Sequence, residues 1–270
     1  MSKIEKAFAD LIKNGRKGFI PFVTAGDPDM ETSLAIVKSL AASGATVIEL
    51  GVPFSDPMAD GPTIQRSSQR SLAGGTDLGK IFEMVTKFRA FSDMPLVLFS
   101  YLNPLMRFGF DQVCSRAVEA GIDGILITDV VGFEAKEIGV QLKRNDMDLI
   151  SLIAPTTTDD RLVEITAAAS GFIYAVSRAG ITGVQSQMTN DARKLVERAR
   201  KVTKLPIAVG FGISTAEQIR DVWQYADAAV VGSAIVSAIE RSAGIEDPVE
   251  TVREFVRTLV PEIAKQTQEV

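Results

Sequence analysis

The sequence predicts an α/β protein, a (β/α)8 TIM barrel with an extra N-terminal helix, and three observations carry that expectation. Eight short apolar runs alternate with amphipathic segments along the chain, the pattern of βαβ units and a parallel sheet. At 270 residues the chain has the length of eight strand–helix pairs. No Ser/Gly-rich linker or charge block divides it, so residues 1–270 read as a single domain. A doubly wound open sheet is the alternative, but it would normally carry a GxGxxG turn after an early strand, and none is present.

In order, MSKIEKAFADLIKNG reads as an amphipathic helix with mixed charges rather than a signal peptide. The runs then follow at Phe19–Thr24, Val47–Gly51, Pro95–Ser100, Gly124–Thr128, Leu149–Ile153, Phe172–Val176, Ile207–Gly210 and Ala228–Gly232. Each is apolar on both faces and gives way to polar or Gly/Pro-rich residues, as buried parallel strands do. Between them lie helical periods with start signals. Asp27-Pro28 offers an N-cap with proline at the first helical position. Ser214 with Glu217 has capping-box spacing, and Asp247-Pro248 with Glu250 repeats it. SGATVIELG, AGIDGILIT and YADAAVVGS form a faint internal repeat: small residues ending a helix, a polar turn, then a strand.

Composition limits the chemistry. The chain is 46% hydrophobic and 23% charged, with net charge −5 and scattered basic residues, which disfavours a nucleic-acid partner. The longest charge-free apolar run, Ala228 to Ile239, is too short to cross a bilayer. A lone Cys114 permits no intrachain disulfide, and a cytoplasmic location is expected. There is no histidine, which excludes a His-based triad and a His-bound metal, so no metal site is expected. No lysine sits at a strand end. Lys17 and Lys204 precede strands, which disfavours a Schiff-base aldolase. Carboxylates, hydroxyls and backbone amides remain.

In a barrel, chemistry belongs at the C-terminal ends of the strands. Val47 to Gln65, VIELGVPFSDPMADGPTIQ, supplies two acids there. Glu49 lies inside an apolar strand, where an unpaired carboxylate responds with a raised pKa. Asp60 follows in a Pro/Gly-rich loop beside Asp56 and Gly61. A buried acid on a strand with a second on a mobile loop suits proton transfer, although a salt-bridged strand-end acid and a turn residue also fit. The last three loops, SRAGITGVQS, GFGIS and GSA, are glycine-rich, where backbone N–H groups and helix N-termini can cradle phosphate. Phe211, Gly212, Gly232 and Ser233 follow strands seven and eight, and Gly180, Thr182 and Gly183 follow strand six. Phe22, Phe99, Tyr101, Leu126, Ile153 and Tyr174, all near strand ends, could line a flat apolar cavity fit for an aromatic bicycle, or be plain core.

IELGVPFSDPMADGPTIQ closely resembles the signature of the tryptophan synthase alpha subunit family. The similarity continues through FIPFVTAGDPD, YLNP, SRAGITG, GFGIS and GSAIV and covers essentially the whole chain. It implies retro-aldol cleavage of indole-3-glycerol phosphate to indole and glyceraldehyde 3-phosphate, a carbon–carbon lyase step in tryptophan biosynthesis using neither metal nor Schiff base. It implies Glu49 as the acid–base carboxylate and Asp60 as the second catalytic acid. It also implies Thr182 and Gly183 as a closing loop that completes the phosphate site of Phe211, Gly212, Gly232 and Ser233. The resemblance implies no cofactor in this chain and pyridoxal phosphate in a beta-subunit partner, in a heterotetramer of two alpha and two beta subunits. The partner-facing loop would include Pro53, Asp56 and Pro57. One segment departs from the family pattern: Asp129-Val130-Val131-Gly132-Phe133-Glu134 lacks the usual proline and second glutamate. A stand-alone indole-3-glycerol phosphate lyase and a catalytically idle phosphate-binding allosteric subunit are the alternatives.

Overall fold

The computed structural model describes residues 1–176, 185–210, 212–242, 244 and 247–260, with the side chains of 185–189 excepted. Eight strands form the sheet: β1 (Gly18–Thr24), β2 (Ile48–Gly51), β3 (Leu96–Ser100), β4 (Gly124–Ile127), β5 (Asp148–Ile153), β6 (Ile173–Val176), β7 (Ile207–Gly210) and β8 (Ala228–Val231). Each pairs in parallel with the next, and β8 pairs with β1, closing a barrel. A one-residue slip in a fully apolar strand exchanges its two faces, so register decides which residues point inward. Inside lie Ile20, Val47, Val97, Leu126, Ile150, Ala208, Ala228 and Val230. Outside, Phe19, Ile48, Leu50 and Leu98 pack under the helices against residues such as Phe82 and Phe88.

Helix α1 (Lys3–Lys13) closes one end of the barrel. Ser2 and Glu5 make a reciprocal capping box at its start, and the Ser2 hydroxyl also donates to Asp148 at 2.6 Å. Ile4 and Phe8 on its inner face join the interior cluster, with Phe8 against Phe172 at 5.5 Å between ring centres. Burying each such side chain is worth about 1.5–3 kcal/mol. At the same end the Lys17 Nζ donates to the Ala226 carbonyl and the Trp223 Nε1 to the Gly18 carbonyl, tying the start of β1 to the approach to β8.

Three helix starts differ from expectation. Asp27 is not an N-cap: Asp29 caps α2 (Met30–Ala42), accepting from the Glu31 and Thr32 amides, while the Asp27–Pro28 bond is cis and the Asp27 carboxylate turns to Arg70. The second capping box lies one residue on, with Thr215 and Gln218 opening α10 (Ala216–Trp223). Asp247 does cap α12 (Pro248–Leu259), but it accepts from Val249, and Glu250 pairs with Arg253 instead of completing a box. The barrel also carries helices within its loops. After β2, α3 (Pro62–Ala73) precedes α4 (Leu78–Arg89), and after β3, α5 (Leu102–Phe108) precedes α6 (Phe110–Ala120), which holds buried Cys114. The helix after β8 is α11 (Ser233–Ser242).

Candidate active site

Glu49 stands on β2 with Phe22 of β1 and Val97 of β3 level with it in register. Its position matches Val47 two residues earlier, an interior residue. The side chain is 0% exposed and, among the described residues, neither carboxylate oxygen has a hydrogen-bond partner. Burial alone pushes its carboxyl up to about 8, so it is mostly protonated at neutral pH. Partly buried Tyr174 faces the same interior, and its hydroxyl is raised well above its ordinary value, first by burial and then by the Glu49 charge.

Asp60 lies directly before α3, whose N-cap is Gly61. Its backbone amide donates to the Pro57 carbonyl at 3.0 Å, and its own carbonyl accepts from the Gln65 side chain at 2.9 Å. The carboxyl is pushed up to about 6, with burial the largest cause and the Tyr101 hydroxyl opposing it. Tyr101 thereby holds the loop at two points, because its oxygen also accepts from the Ala59 amide at 2.9 Å. The loop expected to be mobile is therefore pinned by a phenol, with Phe54 stacked obliquely on the same ring at 5.3 Å. Tyr101 thus serves the Asp60 loop as well as the apolar wall.

Of the apolar set, Phe22 and Phe99 meet edge-to-face at 5.2 Å and form a small cluster with Ile64 of α3 and Val236 of α11. Leu126 sits level with Phe99 on the neighbouring strand and belongs to the interior, as Tyr174 does. Ile153 is a correction. It packs with Leu149 in the outer layer, whereas Ile150 and Leu152 take the inward positions of β5. The pairing of Leu126 with Ile150 sets that choice, and nothing within LISLI signals it. Ile64 and Val236 lie at helical positions of ordinary core spacing and carry no signal in the sequence either.

On the other side of β1 from β2, β8 runs through Gly232 into α11. The Ile235 and Val236 amides close the first turn of α11 on the Gly232 carbonyl at 2.9 and 3.1 Å, so the Ser233 and Ala234 amides before them are the ones a helix start offers to an anion. Gly212 has φ +69°, a conformation glycine adopts without strain, and none of the described residues stands where a side chain would point. Thr182, Gly183 and Phe211 lie outside the described residues. Among the described residues no group of three or more His, Cys, Asp or Glu could hold a metal ion.

On the outer surface of the mouth, Pro53 is another correction: it is buried and cannot face a partner. Asp56 is exposed, with Ser55 hydrogen-bonded to it, and Pro57 is partly exposed. Their neighbour Met58 is 91% exposed, and Met106 of α5, Val131 and Phe133 are 59%, 57% and 73% exposed. These four lie after the adjacent strands β2, β3 and β4. Asp129 accepts from the Leu102 amide at 2.8 Å and so anchors the start of α5.

A family model described as tryptophan synthase alpha chain matches residues 8–265. The tryptophan synthase alpha chain of Gluconobacter oxydans is 44% identical over 269 residues, 99% of this chain and 97% of that one. That of Caulobacter vibrioides is 47% identical over 264 residues, 97% and 95% of the two chains. A crystal structure of tryptophan synthase subunit alpha from Legionella pneumophila superposes with a TM-score of 0.90 at 32% identity, covering 98% of this chain and 99% of that one. Closed barrel, end-to-end match and relatives agree: this chain belongs to the tryptophan synthase alpha chain family.

Proposed function

We propose that this chain, acting as one domain, cleaves indole-3-glycerol phosphate to indole and glyceraldehyde 3-phosphate by a retro-aldol step. The observation that carries this reading is Glu49: a carboxyl buried inside the barrel, with no partner among the described residues and held mostly protonated at neutral pH by that burial. Protonated Glu49 gives its proton to indole C3, making an electron-poor indolenine. The resulting carboxylate removes the proton from the adjacent glycerol hydroxyl. The C–C bond then breaks, its electron pair returns to the indole ring, and an aldehyde is left. Glu49 ends as it began, protonated.

Asp60, ionised above about pH 6, stabilises the positive charge that spreads to the indole nitrogen. Phe22, Phe99, Leu126 and Tyr174 supply the apolar wall, with Leu152 in place of Ile153. Gly212 and the Gly232–Ser233 turn receive the phosphate, together with Thr182, Gly183 and Phe211.

We also assign a beta-subunit partner to the mouth. Met58, Met106, Val131 and Phe133 put exposed apolar side chains on three successive loops, an unusual concentration beside a polar rim. Indole released there passes to the pyridoxal-phosphate chemistry of the partner, in the cytoplasm and in a heterotetramer of two subunits of each kind. Among the described residues no helix is long and apolar enough to cross a membrane. The test is indole release by the purified chain, alone and titrated with a beta subunit. A partner-dependent rise of about 10–100-fold is expected if docking improves placement of the catalytic groups. A flat titration with high basal activity supports the stand-alone lyase, and no indole under any condition removes the proposal.

A further inference from the structure

An ion-pair network stands at the barrel mouth, apart from the groups that handle protons. At its centre is Asp27 in the loop after β1, whose side chain is wholly buried. Arg70 of α3 donates to it twice, from Nε and Nη2, at 2.8 Å each. The third nitrogen of that guanidinium, Nη1, donates to Glu240 of α11 at 2.8 Å. Arg66, one turn earlier on α3, donates to both oxygens of Glu240 at 2.7 and 2.8 Å. Chiefly through the Arg66 hydrogen bond, the Glu240 carboxyl is held down at about 2, so it stays ionised across the neutral range. Two further bonds seat α3 on β1 and the chain just after it. Ser67 and Thr24 share a hydrogen bond of 2.6 Å, and Ser71 donates to the Ala25 carbonyl at 2.5 Å.

The placement of these links matters more than their number. Helix α3 begins at Pro62, immediately beyond Asp60, and α11 begins at Ser233, in the turn assigned to phosphate. The substrate must reach from one helix start to the other. A bidentate guanidinium–carboxylate pair is directional and resists sliding, unlike a single point charge. An Arg that grips a buried carboxylate with one edge and an α11 carboxylate with another therefore holds both helices against β1.

We infer that Arg70 is a positioning residue: by bonding Asp27 and Glu240 at once, it sets the span between Asp60 and the Gly232–Ser233 turn, so that one substrate molecule meets both. This inference rests on the function proposed above. It distinguishes the two half-sites from their spacing, since either half should bind its own fragment whatever the span.

The informative variant is Glu240→Ala, which frees α11 from both Arg70 and Arg66 while leaving the buried Asp27–Arg70 pair intact. Arg66→Ala, which removes only the other grip on Glu240, should leave kcat unchanged, and a loss there equal to that of Glu240→Ala overturns the assignment to Arg70. Glu240→Gln, which keeps an oxygen for Arg70, is the conservative control. Three quantities are measured on the full chain: kcat for indole-3-glycerol phosphate, Kd for glycerol 3-phosphate and Kd for indole. The expected result for Glu240→Ala is a fall in kcat of about 10–100-fold, the scale of an ångström-sized misplacement, with both fragment affinities unchanged. Glu240→Gln should recover most of that loss. An unchanged kcat in Glu240→Ala overturns the inference, and so does a loss matched by weaker binding of both fragments, which marks a merely structural role. If the wild-type chain releases no indole, the proposed function falls and takes the inference with it. An active wild type with an equally active Glu240→Ala variant removes the inference alone.

Discussion

Glu49→Gln tests the central residue through stability as well as activity. The carboxyl is fully enclosed, its two oxygens have no partners among the described residues, and burial raises it from an ordinary 4.5 to about 8. In the unfolded chain the group ionises near 4.5, while in the folded chain it holds its proton until about 8. The folded state therefore binds more protons in that window, and stability falls as pH rises through it. The loss is complete above the folded value, where it reaches about 5 kcal/mol, and is about 3 kcal/mol at pH 7. Glutamine has the same shape and does not titrate. Its buried amide carries a hydrogen-bonding cost of its own, but that cost does not change with pH. The prediction is therefore a difference of slopes. Between pH 5 and pH 8.5 the wild type should lose about 4 kcal/mol relative to Glu49→Gln. Urea unfolding of both proteins at a series of pH values measures it, and indole release should fall by about 10²–10⁴-fold in the same variant. Parallel stability curves would show that burial does not keep Glu49 protonated, and the step in which it acts first as an acid would be lost.

Three other perturbations follow from the geometry. Tyr101→Phe removes the hydroxyl whose hydrogen bond lowers the Asp60 carboxyl, so the acidic limb of the kcat/KM profile should move upward from about pH 6; an unmoved limb separates Asp60 from that limb. Gly232→Asp puts an anion in the turn assigned to phosphate, and calorimetry should show affinity for both phosphate esters falling at least about tenfold, or 1.4 kcal/mol, with free indole nearly unaffected. Equal losses for all three ligands would point to misfolding. Gly210→Ala sets a methyl 2.3 Å from the Tyr174 hydroxyl and 2.9 Å from Val230, and overpacking of this kind costs about 1–3 kcal/mol, read as a lower denaturation midpoint.

The barrel was legible because its strands are apolar on both faces and each is closed by Gly, Pro or polar residues. The observed strand ends fall within a residue or so of the apolar runs. What the sequence hid was relational. LISLI reads the same whichever face turns inward, and only pairing with β4 sends Ile150 and Leu152 to the interior and Ile153 outward. Asp27 has the local chemistry of an N-cap, yet a guanidinium 43 residues away takes it and leaves the cap to Asp29. Pro53 sits in a polar-looking loop and is nonetheless buried, because the chain leaves β2 still paired: the Val52 amide donates to the Phe99 carbonyl at 2.8 Å. Glu49 was visible for the opposite reason. A lone acid within an apolar strand conflicts with its surroundings wherever the strand lies.

The closure of the barrel also sets an order of events when the chain is made. The Lys17 amine and the carbonyl it grips at Ala226 are 209 residues apart, and the edge of β1 from Gly18 to Pro21 that faces away from β2 pairs with β8. At a synthesis rate of about 5–20 residues per second, roughly 10–40 seconds separate the appearance of the two edges. Helix α1, made first, meets its seat against Phe172 and Ala228 only near the end. Through that interval β1 has one unpaired edge, and the inner faces of Ile4 and Phe8 lack their final cover. The nascent chain thus carries an edge open to stray pairing until β8 is in place.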